Sequence, residues 1–92
     1  MAKSTSTNYR ITDHATFEIE RRNVPLKIVH QVLQNPEQII AVRKGRSVFQ
    51  SRFKMEEKQY LIRIFIDIDR SPPEVVTVYR TSKINKYWEE SQ

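Results

Sequence analysis

The sequence predicts an α+β domain in which two N-terminal helices pack on a four-stranded antiparallel sheet and a short C-terminal helix closes the chain. Three observations carry that reading. Apolar residues recur at helical spacing up to Asn35-Pro36, at every second position from Gln38 onward, and at helical spacing again over Ile84, Tyr87 and Trp88. At 92 residues there is room for one domain with a single core.

Residues 1–8 are small and polar, so a flexible tail is expected there, leaving 9–92 as the domain. Tyr9-Arg10-Ile11 reads as a short strand. Thr12 or Asp13 can then cap a helix over His14 to Arg22, on which His14, Phe17, Glu18 and Arg21 share a face. Asn23-Val24-Pro25 restarts a second helix, because proline in a first turn gives up no needed donor. Its apolar stripe is Val24, Ile28, Val29, Val32 and Leu33, with His30 beside it.

The strands follow in a meander. Ile39 to Arg43 turns at Lys44-Gly45, on the only glycine, into Arg46 to Met55. Alternation there assigns Phe49, Ser51, Phe53 and Met55 to the core and Val48, Gln50, Arg52 and Lys54 to the outside. After Glu56-Glu57-Lys58, the isoleucines Ile62, Ile64, Ile66 and Ile68 alternate with Arg63, Phe65, Asp67 and Asp69, the pattern of a central strand. Its isoleucine face should meet the helices. Arg63 and Phe65 would then stand on the open face. Beyond Arg70-Ser71-Pro72-Pro73, Val75 to Tyr79 forms the last strand, and Ser82 is placed to cap the closing helix.

Composition excludes several functions. Without cysteine there is no disulfide, thiolate zinc site or cysteine nucleophile, and a reducing, cytoplasmic location is expected. No run of about eighteen apolar residues occurs and no apolar segment follows Lys3, so neither a membrane partner nor secretion is expected. Sixteen Lys and Arg against eleven Asp and Glu give a formal charge of +5, a field that draws polyanions and puts nucleic acid first among partners.

The chemistry-bearing residues form a metal-free set: His14, Arg21, Arg52, Arg63, Tyr79, Arg80 and Lys83. RNA can be cut by such a set without a cofactor. The 2′-OH needs a base, the departing 5′-oxygen an acid, and the transition state fixed cations where charge develops. Each residue also has a plain structural use: His14 as a helix-cap histidine, Arg63 in an ion pair with Asp67 or Glu18, Arg80 and Lys83 as guards of a strand end. Asp67-x-Asp69 could begin a magnesium site, but no third ligand stands at a matching spacing. Phe65 is the aromatic placed to stack a base, and Lys54 and Lys86 extend the cationic surface. Strict alternation sends Tyr79 and Arg80 to opposite faces. Arg80 would reach a shared phosphate only if the strand frayed at Thr81.

Ile11-Thr12-Asp13-His14-Ala15, Glu20-Arg21-Arg22-Asn23-Val24-Pro25, Asn35-Pro36-Glu37, Gln50-Ser51-Arg52-Phe53 and Val76-Thr77-Val78-Tyr79-Arg80-Thr81-Ser82-Lys83 resemble a prokaryotic family of small domains of unknown function. That family is grouped with the barnase, EndoU, colicin D and RelE-like nucleases. The resemblance implies one or two helices against a four-stranded antiparallel sheet and, in many relatives, a bacterial toxin of a toxin–antitoxin pair that cleaves RNA without metal. It places the family's helix histidine on His14, its arginine on Arg21 and its last-strand cluster on Tyr79, Arg80 and Lys83, with basic strand positions on Arg52 and Arg63. The expected function is thus a metal-independent endoribonuclease, acting on free or ribosome-associated messenger and held by an antitoxin. The alternative is a non-catalytic RNA- or protein-binding module of the same fold.

Overall fold

The computed structural model describes residues 8–90, so the tail expected over 1–8 lies almost wholly outside the described residues. In chain order the elements are β1 (Arg10–Ile11), α1 (Asp13–Arg21), α2 (Leu26–Gln34), β2 (Gln38–Arg43), β3 (Arg46–Met55), β4 (Lys58–Asp67), β5 (Glu74–Thr81) and α3 (Ile84–Tyr87). The class is α+β. The sheet, however, has five strands in the order β1-β5-β4-β3-β2, and it is mixed where a four-stranded antiparallel sheet was expected. β1 causes the difference by pairing parallel to β5, Arg10 opposite Glu74 and Ile11 opposite Val75. Two residues carry no period from which a partner could be read; backbone bonds from Arg10 N to Pro73 O (2.9 Å) and Thr12 N to Val75 O (3.1 Å) fix the pairing.

Thr12 then starts α1. Its hydroxyl accepts from the Ala15 N–H at 3.1 Å and donates to the Val75 carbonyl at 3.0 Å, so one side chain caps the helix and ties it to β5. Asn23, at φ 54°, turns the chain out of α1, and Val24 N–H bonds back to Ile19 O. Pro25 stands one place before the first turn of α2, where its carbonyl accepts from Ile28 and Val29.

The core lies between the helices and one face of the sheet. Ile62, Ile64 and Ile66 are wholly buried against Ala15, Ile19, Val29, Val32, Leu33, Val75 and Val78, with Phe49, Phe53 and Met55 packed at the margin. Each fully buried isoleucine contributes on the order of 2 kcal/mol. Ile68 does not belong to this face. β4 ends at Asp67, Ile68 N–H bonds to Gly45 O, and its side chain stays half exposed. A bulge at Val76, between the pairs Phe65/Thr77 and Ile66/Val75, brings both Val75 and Val78 to the helix side.

Two expectations about the opposite face and the chain that follows it fail. Val48 and Gln50, assigned to the outside by alternation, have no exposure, and Leu61 is equally buried. The C-terminal segment reaches this face at Gln50, whose amide donates to the Tyr87 carbonyl. Ser82 also caps nothing: α3 has no side-chain cap, and the Lys83 N–H is taken by the Thr81 hydroxyl at 3.0 Å.

The β3–β4 hairpin turns on Glu56 and Glu57 between the paired residues Met55 and Lys58, with φ of 52° and 66°. Left-handed backbone at both loop positions is a type I′ geometry that favours Asn-Gly and costs glutamate roughly 1 kcal/mol or more per residue. Replacing the pair by Glu56→Asn and Glu57→Gly should therefore raise stability by about 1 kcal/mol, measured by urea denaturation.

Candidate nucleic-acid interface

Register sets four polar side chains in one row across the open face. Gln38 on β2 stands opposite Gln50 on β3, Gln50 opposite Arg63 on β4, and Arg63 opposite Tyr79 on β5. Three of them are joined by hydrogen bonds. Arg63 Nε donates to Gln50 Oε1 at 2.9 Å, and Gln50 Nε2 donates to Gln38 Oε1 at 2.8 Å. The guanidinium lies between two rings, 4.3 Å from the Tyr87 centroid and 5.3 Å from that of Phe65. Burial pushes the Arg63 pKa down, opposed by Tyr87, Tyr79 and Glu89, yet an arginine keeps its proton under all ordinary conditions.

Neither carboxylate considered as a partner for Arg63 pairs with it. Asp67 is held by Arg46 at 2.7 Å, and Glu18 by Arg21 at 3.0 Å and Arg22 at 2.8 Å. Among the described residues no carboxylate forms a salt bridge with Arg63. Of the two aspartates weighed for magnesium, Asp67 bonds to Arg46 and the Asp69 carboxylate lies against Gly45. No group of three or more His, Cys, Asp and Glu gathers among the described residues.

Tyr79 and Tyr87 meet edge to face, centroids 6.0 Å apart at 80°. Tyr79 does most to hold the Tyr87 phenol below its ordinary pKa of 10.0, and Lys86 and Arg63 push the same way. Lys86 Nζ is 5.4 Å from the Tyr87 ring. Arg52, on the neighbouring row, is gripped by Glu37 through two bonds of 3.1 Å while Trp88 stacks 4.0 Å from its guanidinium. That arginine is electrically offset, and its bonds hold the Glu37 carboxyl below the usual carboxylate range.

The remaining sequence candidates separate. Arg80 is opposite Ile62, on the helix side, stacked 4.7 Å from the Tyr60 ring and beside Asn23, Pro25, Met55 and Glu56. β5 does not fray before Thr81, which pairs with Leu61, so Arg80 stays away from Arg63. His14 is exposed in the first turn of α1 and shares none of the bonds or ring contacts of the open face. At 1.5 Å per residue it stands roughly 12 Å along the helix from Arg22. Arg21 remains on the helix, exposed beside Glu18. Lys54 ends β3 next to Arg52, and Lys83 is exposed just after β5.

Sequence reasoning missed Arg22, Gln38, Gln50, Tyr87 and Trp88 as parts of this surface. Arg22 leaves the helical path at the C-cap and reaches round β5, 4.8 Å from the Tyr79 ring, while Glu18 fixes its Nε. Its place after the last apolar turn was the one available signal. In comparisons with known proteins, no family model, no curated protein and no solved structure matches the chain. No helix among the described residues is long and apolar enough to cross a membrane.

Two outcomes test this geometry. Arg63→Lys keeps the charge but loses the Nε bond, leaving buried Gln50 Oε1 unpaired, and should cost about 1–3 kcal/mol in urea denaturation. Tyr79→Phe should move the Tyr87 titration up toward 10.0, read from phenolate absorbance across an alkaline pH series.

Proposed function

We propose that the chain is a metal-independent endoribonuclease of RelE-like type, the toxin of a toxin–antitoxin pair, cleaving RNA on the open sheet face. The observation that carries this reading is Arg63: a half-buried guanidinium in the middle of a sheet, without a carboxylate partner among the described residues, flanked by Tyr79 and Tyr87. A permanent cation so placed suits a phosphodiester, whose oxygens accept from its remaining N–H donors.

In this reading the 2′-oxygen attacks phosphorus in line and loses its proton. The bond to the 5′-oxygen breaks, that oxygen gains a proton, and a 2′,3′-cyclic phosphate remains. Arg63 stabilises the charge that grows on the phosphoryl oxygens, and Arg22 supplies a second cation at the edge of β5. Proton transfer falls to Tyr79, the phenol that the sheet itself carries beside Arg63. Lys54, Lys83 and Lys86, all exposed, hold flanking phosphates. An acidic antitoxin would cover the same cations.

A non-catalytic binding module is the second reading, favoured by the position of His14, which leaves the open face without an imidazole. Cleavage of single-stranded RNA and of ribosome-bound messenger in EDTA, together with growth after induction in a bacterial host, decides between them. The nuclease reading expects cut RNA and slowed growth, with Arg63→Gln and Tyr79→Phe each losing about a hundredfold or more and His14→Ala unchanged. Binding with no product from any substrate rejects it in favour of the module. If about four phosphates are neutralised, log K should fall against log salt with a slope of roughly −3.

A further inference from the structure

Tyr87, Trp88 and Glu89 touch the open face through the groups by which a nucleobase would touch it. Gln38 Nε2 donates to the Glu89 carbonyl at 2.8 Å, and the Glu89 N–H donates back to Gln38 Oε1 at 3.2 Å. A donor beside an acceptor, met by one glutamine amide, is the pattern of adenine N6–H and N7. The rings of Tyr87 and Trp88 lie on Arg63 and Arg52, two guanidiniums on adjacent strands separated by one diagonal step of the register. Guanidinium planes stack bases as they stack aromatic side chains.

The helix leading into the segment is weak by itself, and what the segment covers must stay covered. α3 has four residues, no side-chain cap and no buried residue, too short a helix to persist by itself. Beneath it Gln38 and Gln50 are 5 % and 0 % exposed, and Gln50 Nε2 reaches Tyr87 O at 3.2 Å. Their amides need partners when the segment leaves, and base edges supply both donors and acceptors. Charge selects the ligand class. The chain carries +5, with Lys54 on the rim and Arg22 at the edge of β5, which suits a strand of phosphates better than a neutral peptide.

We propose that the surface under Tyr87-Trp88-Glu89 is a two-base subsite for single-stranded RNA, in which Arg63 and Arg52 stack successive bases and Gln38 selects adenine, and that the C-terminal segment occupies it as a self-ligand until RNA displaces it. This rests on the reading of the open face as an RNA site. It adds the base preference and the competitor.

Trp88 is the only tryptophan, so its emission reports the segment directly. Full-length protein is titrated with 2′-O-methyl octanucleotides of adenine or cytosine, which lack the attacking hydroxyl and cannot be cut, while emission and acrylamide quenching are followed. The expected result is a red shift and stronger quenching at saturation, with the adenine octamer bound about fivefold or more tightly than the cytosine one. Trp88→Ala, read by anisotropy of labelled octamers, should tighten binding about three- to tenfold because the competitor is weakened. The first two readouts need no substitution and stand if that variant fails to fold. Binding that leaves Trp88 quenching unchanged, or weaker binding by folded Trp88→Ala, overturns the self-ligand, and equal affinity for the two octamers overturns adenine selection by Gln38, each leaving the RNA site intact. No binding of either octamer to either protein overturns the RNA site as well. Displacement of Trp88 by a peptide of sequence 85–90 carrying Trp88→Phe, but by neither octamer, gives the surface to a protein partner and overturns the proposal.

Discussion

Half-burying a guanidinium without a salt bridge requires neutral hydrogen-bond partners, and the bond from Arg63 to Gln50 is where that requirement is met. Gln38, Tyr87 and Glu89 are linked to it by hydrogen bonds. Gln50 can turn its carbonyl to Arg63 only because its amide nitrogen is taken by Gln38 and the Tyr87 carbonyl. Gln38 in turn is closed off by Glu89. The chain of bonds therefore runs from the centre of the sheet to the C-terminal segment. β4 thus serves two environments at once, apolar toward the helices and cationic toward the covered face.

Charge is distributed with the same economy. Glu18, Glu37 and Asp67 are each engaged by arginines, and each carboxyl is held below its ordinary range by a hydrogen bond from its partner. Glu74 lies near Arg10 and Arg70 at the opposite end of β5. These three carboxylates offset Arg21, Arg46 and Arg52 and fix the Nε of Arg22, whereas Arg63 forms no salt bridge among the described residues. These surface pairs contribute little stability individually. Their effect is to decide which cations remain available.

Wherever one period ran for several residues, the fold was legible. The isoleucine alternation placed β4 centrally, and the stripe from Val24 to Leu33 gave α2 its buried face. Arg63 stood out because a central strand seldom carries an arginine. What could not be read depended on long-range pairing: the partner of β1, and the segment that buries Gln50 after a gap of 37 residues. Alternation reports which face a residue takes and is silent about what later covers that face. His14 and Arg80 failed to join Arg63 for simple geometric reasons, one by distance along a helix and the other by strand parity.

The double use of Thr12 has a consequence for how the chain is made. Its hydroxyl caps α1 and bonds to Val75, 63 residues later, so the first helix acquires its seat only when the last strand exists. During synthesis α1 and α2 leave the ribosome early and present Ile19, Val29 and Val32 to solvent until β4 and β5 emerge. Folding is then a terminal event dominated by non-local closure. Premature termination before β5 would leave α2 able to meet β4 and β3 but α1 without the strand on which it sits.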